Sequence, residues 1–154
     1  MKIVFFALFL LFAFSTKLPS ATADFVQDVE GNLIENGGSY YILPVIRGHG
    51  GGLGLTQVGN ETCPLTVAQA RSEISSGSPV RIASPYLISH IYEVPGWFKI
   101  EKYLDDYKLV FCSKYSVTCS DLRIYNDDQG EKRLIVTNDK PFNVMFKKVD
   151  TSAI

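Results

Sequence analysis

The apolar positions of this chain come in short runs, and glycine, asparagine or aspartate interrupts each run before a helical period is established. Tyr40-Tyr41-Ile42-Leu43, continued by Val45-Ile46, is the first strong run. Its aromatic and β-branched residues fit a pleated, half-buried surface, which predicts a strand. Leu53, Leu55 and Val58 alternate with smaller or polar residues. Leu65, Val67 and Ala70 predict a further strand, although Thr66–Ser75 also accommodates a short helix. Val80 and Ile82 form a brief apolar run after a passage rich in Gly, Ser and Pro. Trp97–Lys102 alternates in part, and Tyr107–Cys112 reads clearly as a strand. Leu122, Ile124 and Tyr125 face Leu134-Ile135-Val136 across the turn residues Asn126–Gly130, which predicts a hairpin. Phe142–Val149 alternates well and closes the pattern. Roughly ten short strands separated by turn chemistry predict an all-β barrel or sandwich-like domain.

The first residues follow a different rule. Lys2 precedes an unbroken apolar run, Ile3–Phe14, and Ala21-Thr22-Ala23 supplies small residues before Asp24. This is the pattern of a secretory signal peptide over residues 1–23, and the run is too short for a transmembrane helix. The expected mature domain is 24–154, long enough for one hydrophobic core, free of membrane contact and secreted to the extracellular space or a vacuole. The whole chain carries a formal charge of −1, and Lys2 and Lys17 fall in the expected signal peptide, so the remainder is more acidic. Its basic residues are scattered and outnumbered, which argues against nucleic acid as a partner.

Oxidising surroundings make the three cysteines informative. Cys112 and Cys119 lie close in sequence across a polar segment and are the expected pair. Cys63 is left over, as a buried thiol, as an intermolecular link that would make a dimer, or as a residue whose partner has been lost. Two histidines and no Cys-x-x-Cys give no basis for a metal site or any cofactor. Asn60-Glu61-Thr62 is a glycosylation sequon.

Signals for catalysis are weak. His49-Gly50-Gly51-Gly52 resembles an oxyanion-hole motif, but no Gly-x-Ser-x-Gly accompanies it, and it is read as a flexible loop. Asp105-Asp106 and Asp127-Asp128 are neighbours in turn-like segments and do not suit two facing carboxylates. His90 and Cys63 have no local context for a nucleophilic pair. No enzyme is expected. The stretch Ser84-Pro85-Tyr86-Leu87-Ile88-Ser89-His90 is of a different kind. Pro85 fixes its own φ and biases Ser84 toward extended geometry. The segment is either a core strand or an exposed extended loop of the sort a protease accepts into its cleft.

Val26-Gln27-Asp28-Val29-Glu30-Gly31-Asn32-Leu33-Ile34, followed by Tyr40-Tyr41-Ile42, resembles the signature of the plant Kunitz trypsin inhibitors of the soybean type. Gly59–Val67, Ser84-Pro85-Tyr86, Gly96-Trp97-Phe98, Tyr107–Cys112 and Lys140-Pro141-Phe142 resemble further segments of that family, over nearly all of Asp24–Asp150. The resemblance implies a β-trefoil and a secreted inhibitor of serine proteases. It places a reactive-site loop at Ser84, Pro85, Tyr86, Leu87, Ile88 and Ser89, with Leu87 as the specificity residue and Leu87–Ile88 as the bond offered to the protease. It makes Asn36 the residue that supports the loop from beneath. Where the family's trypsin inhibitors carry Arg or Lys this chain has Leu87, so chymotrypsin-, elastase- or subtilisin-like targets are favoured over trypsin. Between His90 and Trp97 the family has a long passage that is almost absent here, so the trefoil is expected to be incomplete in its middle unit, and Cys63 to lack its partner. The alternative functions are a non-inhibitory storage, stress-response or binding protein of trefoil fold, or a decayed copy that folds poorly.

Overall fold

A computed structural model describes residues 25–57, 65–83, 96–115 and 118–150. The apolar alternation of the last segment shows how its sheet is assembled. Val144 and Phe146 are fully buried, with half-buried Met145 between them. They lie on the strand Asn143–Lys148, which pairs antiparallel with Ser39–Pro44, placing Ile42 opposite Phe146 and Tyr40 opposite Lys148. Tyr40 and Ile42 are buried on the same face. The cross-strand pair is the unit that stabilises such a ladder, and on the covered side Ile42 opposite Phe146 and Pro44 opposite Val144 are apolar pairs.

In chain order the strands are β1 (Ser39–Pro44), β2 (Leu53–Thr56), β3 (Thr66–Gln69), β4 (Val80–Arg81), β5 (Gly96–Tyr103), β6 (Asp106–Ser113), β7 (Cys119–Asn126), β8 (Lys132–Thr137) and β9 (Asn143–Lys148). All are antiparallel, in the order β2-β3-β8-β7-β6-β9-β1-β4, and β5 joins at the side of β6. β6 is the junction. It pairs with β5 along its whole length, with β7 at Val110–Cys112 and with β9 at Tyr107–Lys108. Tyr107, Leu109, Val110 and Cys112 are all buried, so β6 is covered on both faces. Leu53 and Leu122 complete the central cluster with Tyr40, Ile42, Tyr107, Leu109, Val144 and Phe146. Cys112 and Cys119 are directly opposite on β6 and β7 and form a disulfide.

The stretch Thr66–Ser75 resolves in favour of the strand. Its first residues pair with β2, from Thr56↔Thr66 to Leu53↔Gln69, and a turn follows. A ladder that also buries Ala68 outweighs weak helical propensity.

The N-terminal motif has a physical role beyond its familiarity. The Asp28 carboxylate accepts hydrogen bonds from the backbone N–H groups of Glu30 and Asn32, both at 2.9 Å. It closes a tight turn bridged by Gln27 and Leu33. The turn is fastened to the sheet by Val29 N–H to the Phe146 carbonyl (2.8 Å) and by Gln27 N–H to the Tyr107 hydroxyl (2.9 Å). Burial pushes the Asp28 carboxyl up, but the hydrogen bonds from Asn32 and Glu30, with Lys148 nearby, outweigh it and hold the group below its ordinary pKa.

Asp28→Ala should destabilise the fold by about 1–2 kcal/mol, read by chemical denaturation near neutral pH. A carboxylate whose folded pKa is lowered stabilises the fold above its unfolded pKa and loses that contribution as pH falls through the folded value. The gap between wild type and variant, measured again in acid below the ordinary carboxylate range, should therefore narrow. An equal gap at both pH values would contradict the role given to Asp28.

Candidate functional site

Directly before β1 the chain turns at Glu35-Asn36-Gly37-Gly38. Gly38 N–H donates to the Glu35 carbonyl at 3.0 Å, and Gly37 has a φ of +85°, a conformation that glycine adopts without steric cost. Tyr40 fixes where this turn lies. Its ring is fully buried, and its hydroxyl oxygen accepts a hydrogen bond from Glu35 N–H at 2.9 Å. The ring also passes close under Gly38. A Cβ on Gly38 would stand 2.6 Å from Tyr40 Cε2, so no larger residue fits without moving a core side chain. Lys148 pairs with Glu35 at 3.0 Å, but both side chains are largely in solvent and the pair adds little.

The other side of the turn is stitched to the strand that leads into residue 84. β4 pairs with β1 at Ser39↔Arg81 and Tyr40↔Val80. Beyond that register, Gly37 N–H donates to the Ile82 carbonyl at 2.6 Å, and Ile82 N–H donates to the Gly38 carbonyl at 2.9 Å. Arg81 Nε donates to the Gly37 carbonyl at 3.2 Å. Val80 and Ile82 pack against the central cluster. The turn that bears exposed Asn36 and the stem that ends at Ala83 are therefore one hydrogen-bonded unit anchored in the core.

Ser84, Pro85, Tyr86, Leu87, Ile88, Ser89 and His90 lie outside the described residues, as do Asn60 and Cys63. Asn36 is described, and its neighbours Gly37 and Gly38 are hydrogen-bonded to Ile82 in the stem of the stretch that Asn36 was expected to support. The residues that build this platform, Tyr40, Gly38, Arg81 and Ile82, did not stand out in the sequence as functional. Glycine pairs such as Gly37-Gly38 signal turns, but nothing in sequence announces that Tyr40 holds this one.

The other sequence candidates have structural explanations. Gly50, Gly51 and Gly52 are buried, which corrects the reading of this run as a flexible loop. A Cβ added at Gly51 would collide with the Ser75 carbonyl oxygen, and one added at Gly52 with the Ser76 carbonyl oxygen. Gly51 N–H donates to the Ala70 carbonyl and Gly52 N–H to the Ser75 carbonyl, both at 2.8 Å, so these amides are engaged and do not form an oxyanion hole. The Asp127 carboxylate accepts from the N–H groups of Gln129 and Glu131 and pairs with Arg133 at 2.7 Å, which makes it a turn residue. Among the described residues, no three His, Cys, Asp or Glu side chains are grouped to hold a metal.

The Kunitz legume family profile, described as trypsin and protease inhibitor, matches residues 26–94 and 87–148. The chain belongs to this family. Trypsin inhibitor A of Glycine max is 38% identical over 206 residues, covering 100% of this chain and 95% of the relative. Among solved structures, soybean trypsin inhibitor in complex with porcine pancreatic trypsin superposes with a TM-score of 0.70 at 35% identity, covering 82% of this chain and 100% of that one. The rice bifunctional alpha-amylase/subtilisin inhibitor from Oryza sativa gives 0.65 at 30% identity, covering 81% and 98%. The all-strand sheet is thus the β-trefoil fold of the Kunitz inhibitors, and the chain is an inhibitor-family protein rather than an enzyme. The alignment with Trypsin inhibitor A runs over 206 residues against 154 in this Kunitz chain, so the relative carries residues with no counterpart here. The two segments matched by the family profile meet at 87–94.

Gly38→Ala should force the Tyr40 ring or the turn to move and cost about 1–3 kcal/mol, measured by denaturant unfolding. Ala at exposed Gly130, where nothing lies within 4 Å, strains only the local backbone and serves as the comparison. A Gly38→Ala protein no less stable than the Gly130→Ala protein would show that Tyr40 does not constrain the turn.

Proposed function

We propose that this chain is a secreted serine-protease inhibitor that presents Ser84–Ser89 as a substrate-like loop, with Leu87 entering the primary specificity pocket of the protease. One observation supports this reading above others: the Asn36 turn is hydrogen-bonded to Ile82, two residues before Ser84. A loop whose stem is already ordered loses little conformational freedom on docking, and affinity rises by the cost avoided. The same order keeps the two ends of a cut loop together, so that the bond re-forms faster than the product departs. In this reading Asn36 reaches beneath the loop and fixes its backbone, and secretion follows removal of residues 1–23.

Leu87 sets the direction of specificity. A trypsin-type pocket holds a carboxylate at its base, and leucine would bury that charge without a partner. Pockets lined by apolar groups suit Leu87, which favours chymotrypsin-, elastase- or subtilisin-like enzymes. The rice neighbour is itself an inhibitor of subtilisin.

A second reading draws on the shortened middle. The profile segments overlap over 87–94, beginning at Leu87, and the relative carries additional residues. A middle trefoil unit shortened here would leave the loop with a firm stem on one side only and Cys63 without its partner. A protein of this kind would be a weak inhibitor, or a storage, stress-response or binding protein that has left inhibition behind.

Inhibition constants for chymotrypsin and trypsin separate the two readings. The wild-type chain should inhibit chymotrypsin with 1:1 stoichiometry and trypsin poorly. Leu87→Arg should raise trypsin affinity by about a hundredfold or more, because it supplies the partner for a buried charge. Absence of inhibition by both proteins toward both enzymes would support the non-inhibitory reading. Equal inhibition of trypsin by wild type and Leu87→Arg would remove Leu87 from the specificity position.

A further inference from the structure

We propose that β5 is a self-association edge, through which two copies of this chain pair antiparallel about Ile100. The proposal is independent of whether the chain inhibits a protease. Among the described strands β5 pairs with β6 alone, from Gly96↔Ser113 to Tyr103↔Asp106, and its second edge carries no described strand. An eight-residue edge of this kind presents a row of backbone donors and acceptors that templates a further strand. Proteins usually blunt such an edge with proline, a bulge or charged side chains, and of these β5 has the charges Lys99, Glu101 and Lys102. β5 has no proline, and its register with β6 is uninterrupted. It also exposes two large aromatic side chains, Trp97 at 43% and Phe98 at 58%.

The sequence of β5 fits a second copy of itself. With Ile100 opposite the Ile100 of the second copy, antiparallel register sets Lys99 opposite Glu101, Phe98 opposite Lys102 and Trp97 opposite Tyr103, each twice by the two-fold symmetry. Directly opposite residues share a face, because side chains alternate along a strand. Trp97, Lys99, Glu101 and Tyr103 therefore meet on one face as two ion pairs flanked by two aromatic pairs. Phe98, Ile100 and Lys102 share the other face, where Ile100 packs on its own core and Lys102 is held by its own Asp105 carbonyl and Tyr107 ring, so the pairing rests on the first face. No residue in this register faces a like charge. The hairpin is also braced to present the edge: Phe98 packs on Phe111 with ring centroids 5.3 Å apart, and Lys102 lies 4.8 Å from the centre of the Tyr107 ring.

Charge reversal tests the register. In Lys99→Glu the introduced carboxylate would face Glu101 of the second copy, and in Glu101→Lys the introduced ammonium would face Lys99 of the second copy. Glu101 also pairs with Lys108 at 3.6 Å within its own chain, but Lys108 keeps Asp121 at 2.6 Å, so the hairpin retains its stronger contact. Sedimentation velocity across a concentration series, in a Cys63→Ser background that excludes linkage through that thiol, should show a monomer–dimer equilibrium. Each single variant should raise the dissociation constant about tenfold or more, since two favourable cross-strand pairs become two unfavourable ones. An equimolar mixture of the two variants should recover the dimer. The introduced carboxylate of one chain then faces the introduced ammonium of the other, and the unaltered Glu101 of the first faces the unaltered Lys99 of the second. A chain that stays monomeric throughout, a dimer that both reversals leave intact, or a mixture that fails to recover it would each overturn the proposal.

Discussion

The Tyr40 side chain ties the core of this protein to the place where it would act. Its ring is buried without residual exposure, while its hydroxyl, the one polar atom it brings inside, is occupied by the Glu35 backbone N–H. Burying that hydroxyl unpaired would carry a desolvation cost, so core packing and turn position are satisfied together or not at all. From Tyr40 the constraint runs outward: to Gly38, which must lack a side chain; to Gly37, which donates to Ile82; and to the stem of the stretch that begins at Ser84. Tyr107 repeats the device. Its ring lies in the same cluster, 5.9 Å from Phe146, and its hydroxyl accepts from Gln27 N–H, which fastens the Asp28 turn. Two core tyrosines thus organise the N-terminal strap and the site platform.

β6 plays the corresponding part for the hairpin. Three strands share its edges, and residues on both its faces are buried. This arrangement lets β5 be held firmly while its second edge remains without a described partner. In a closed barrel every edge is consumed, and strand number is coupled to stagger, so a chain with fewer residues in the middle cannot simply omit a strand without consequence elsewhere.

Much of this architecture was legible in the sequence. The alternation in Phe142–Val149, the aromatic and β-branched run at Tyr40–Leu43 and the hairpin around Asn126–Gly130 all name strands that exist, because cross-strand packing and turn chemistry are local signals. The family likewise followed from the Val26–Ile34 motif. The role of Asn36 was inferred only from resemblance, and what the structure adds is that the neighbouring Gly37 and Gly38 are bonded to Ile82. That adjacency depends on hydrogen bonds between segments more than forty residues apart, which no local pattern encodes. The His49–Gly52 run misled for a related reason. Consecutive glycines suggest freedom, yet here they mark the close approach of the 72–76 backbone, visible only once the chain has folded back on itself.

The central claim is that the Tyr40-anchored turn holds the stem of residues 84–89 well enough for the loop to resist the protease that recognises it. Intact mass spectrometry during prolonged incubation of the oxidised chain of residues 24–154 with chymotrypsin tests this most directly. The account predicts a chain that persists in stoichiometric complex, with at most one slow cut, between Leu87 and Ile88. Rapid cleavage at many Phe, Tyr and Leu positions would contradict it, since a protein cut in that way does not hold its loop, whatever family it belongs to.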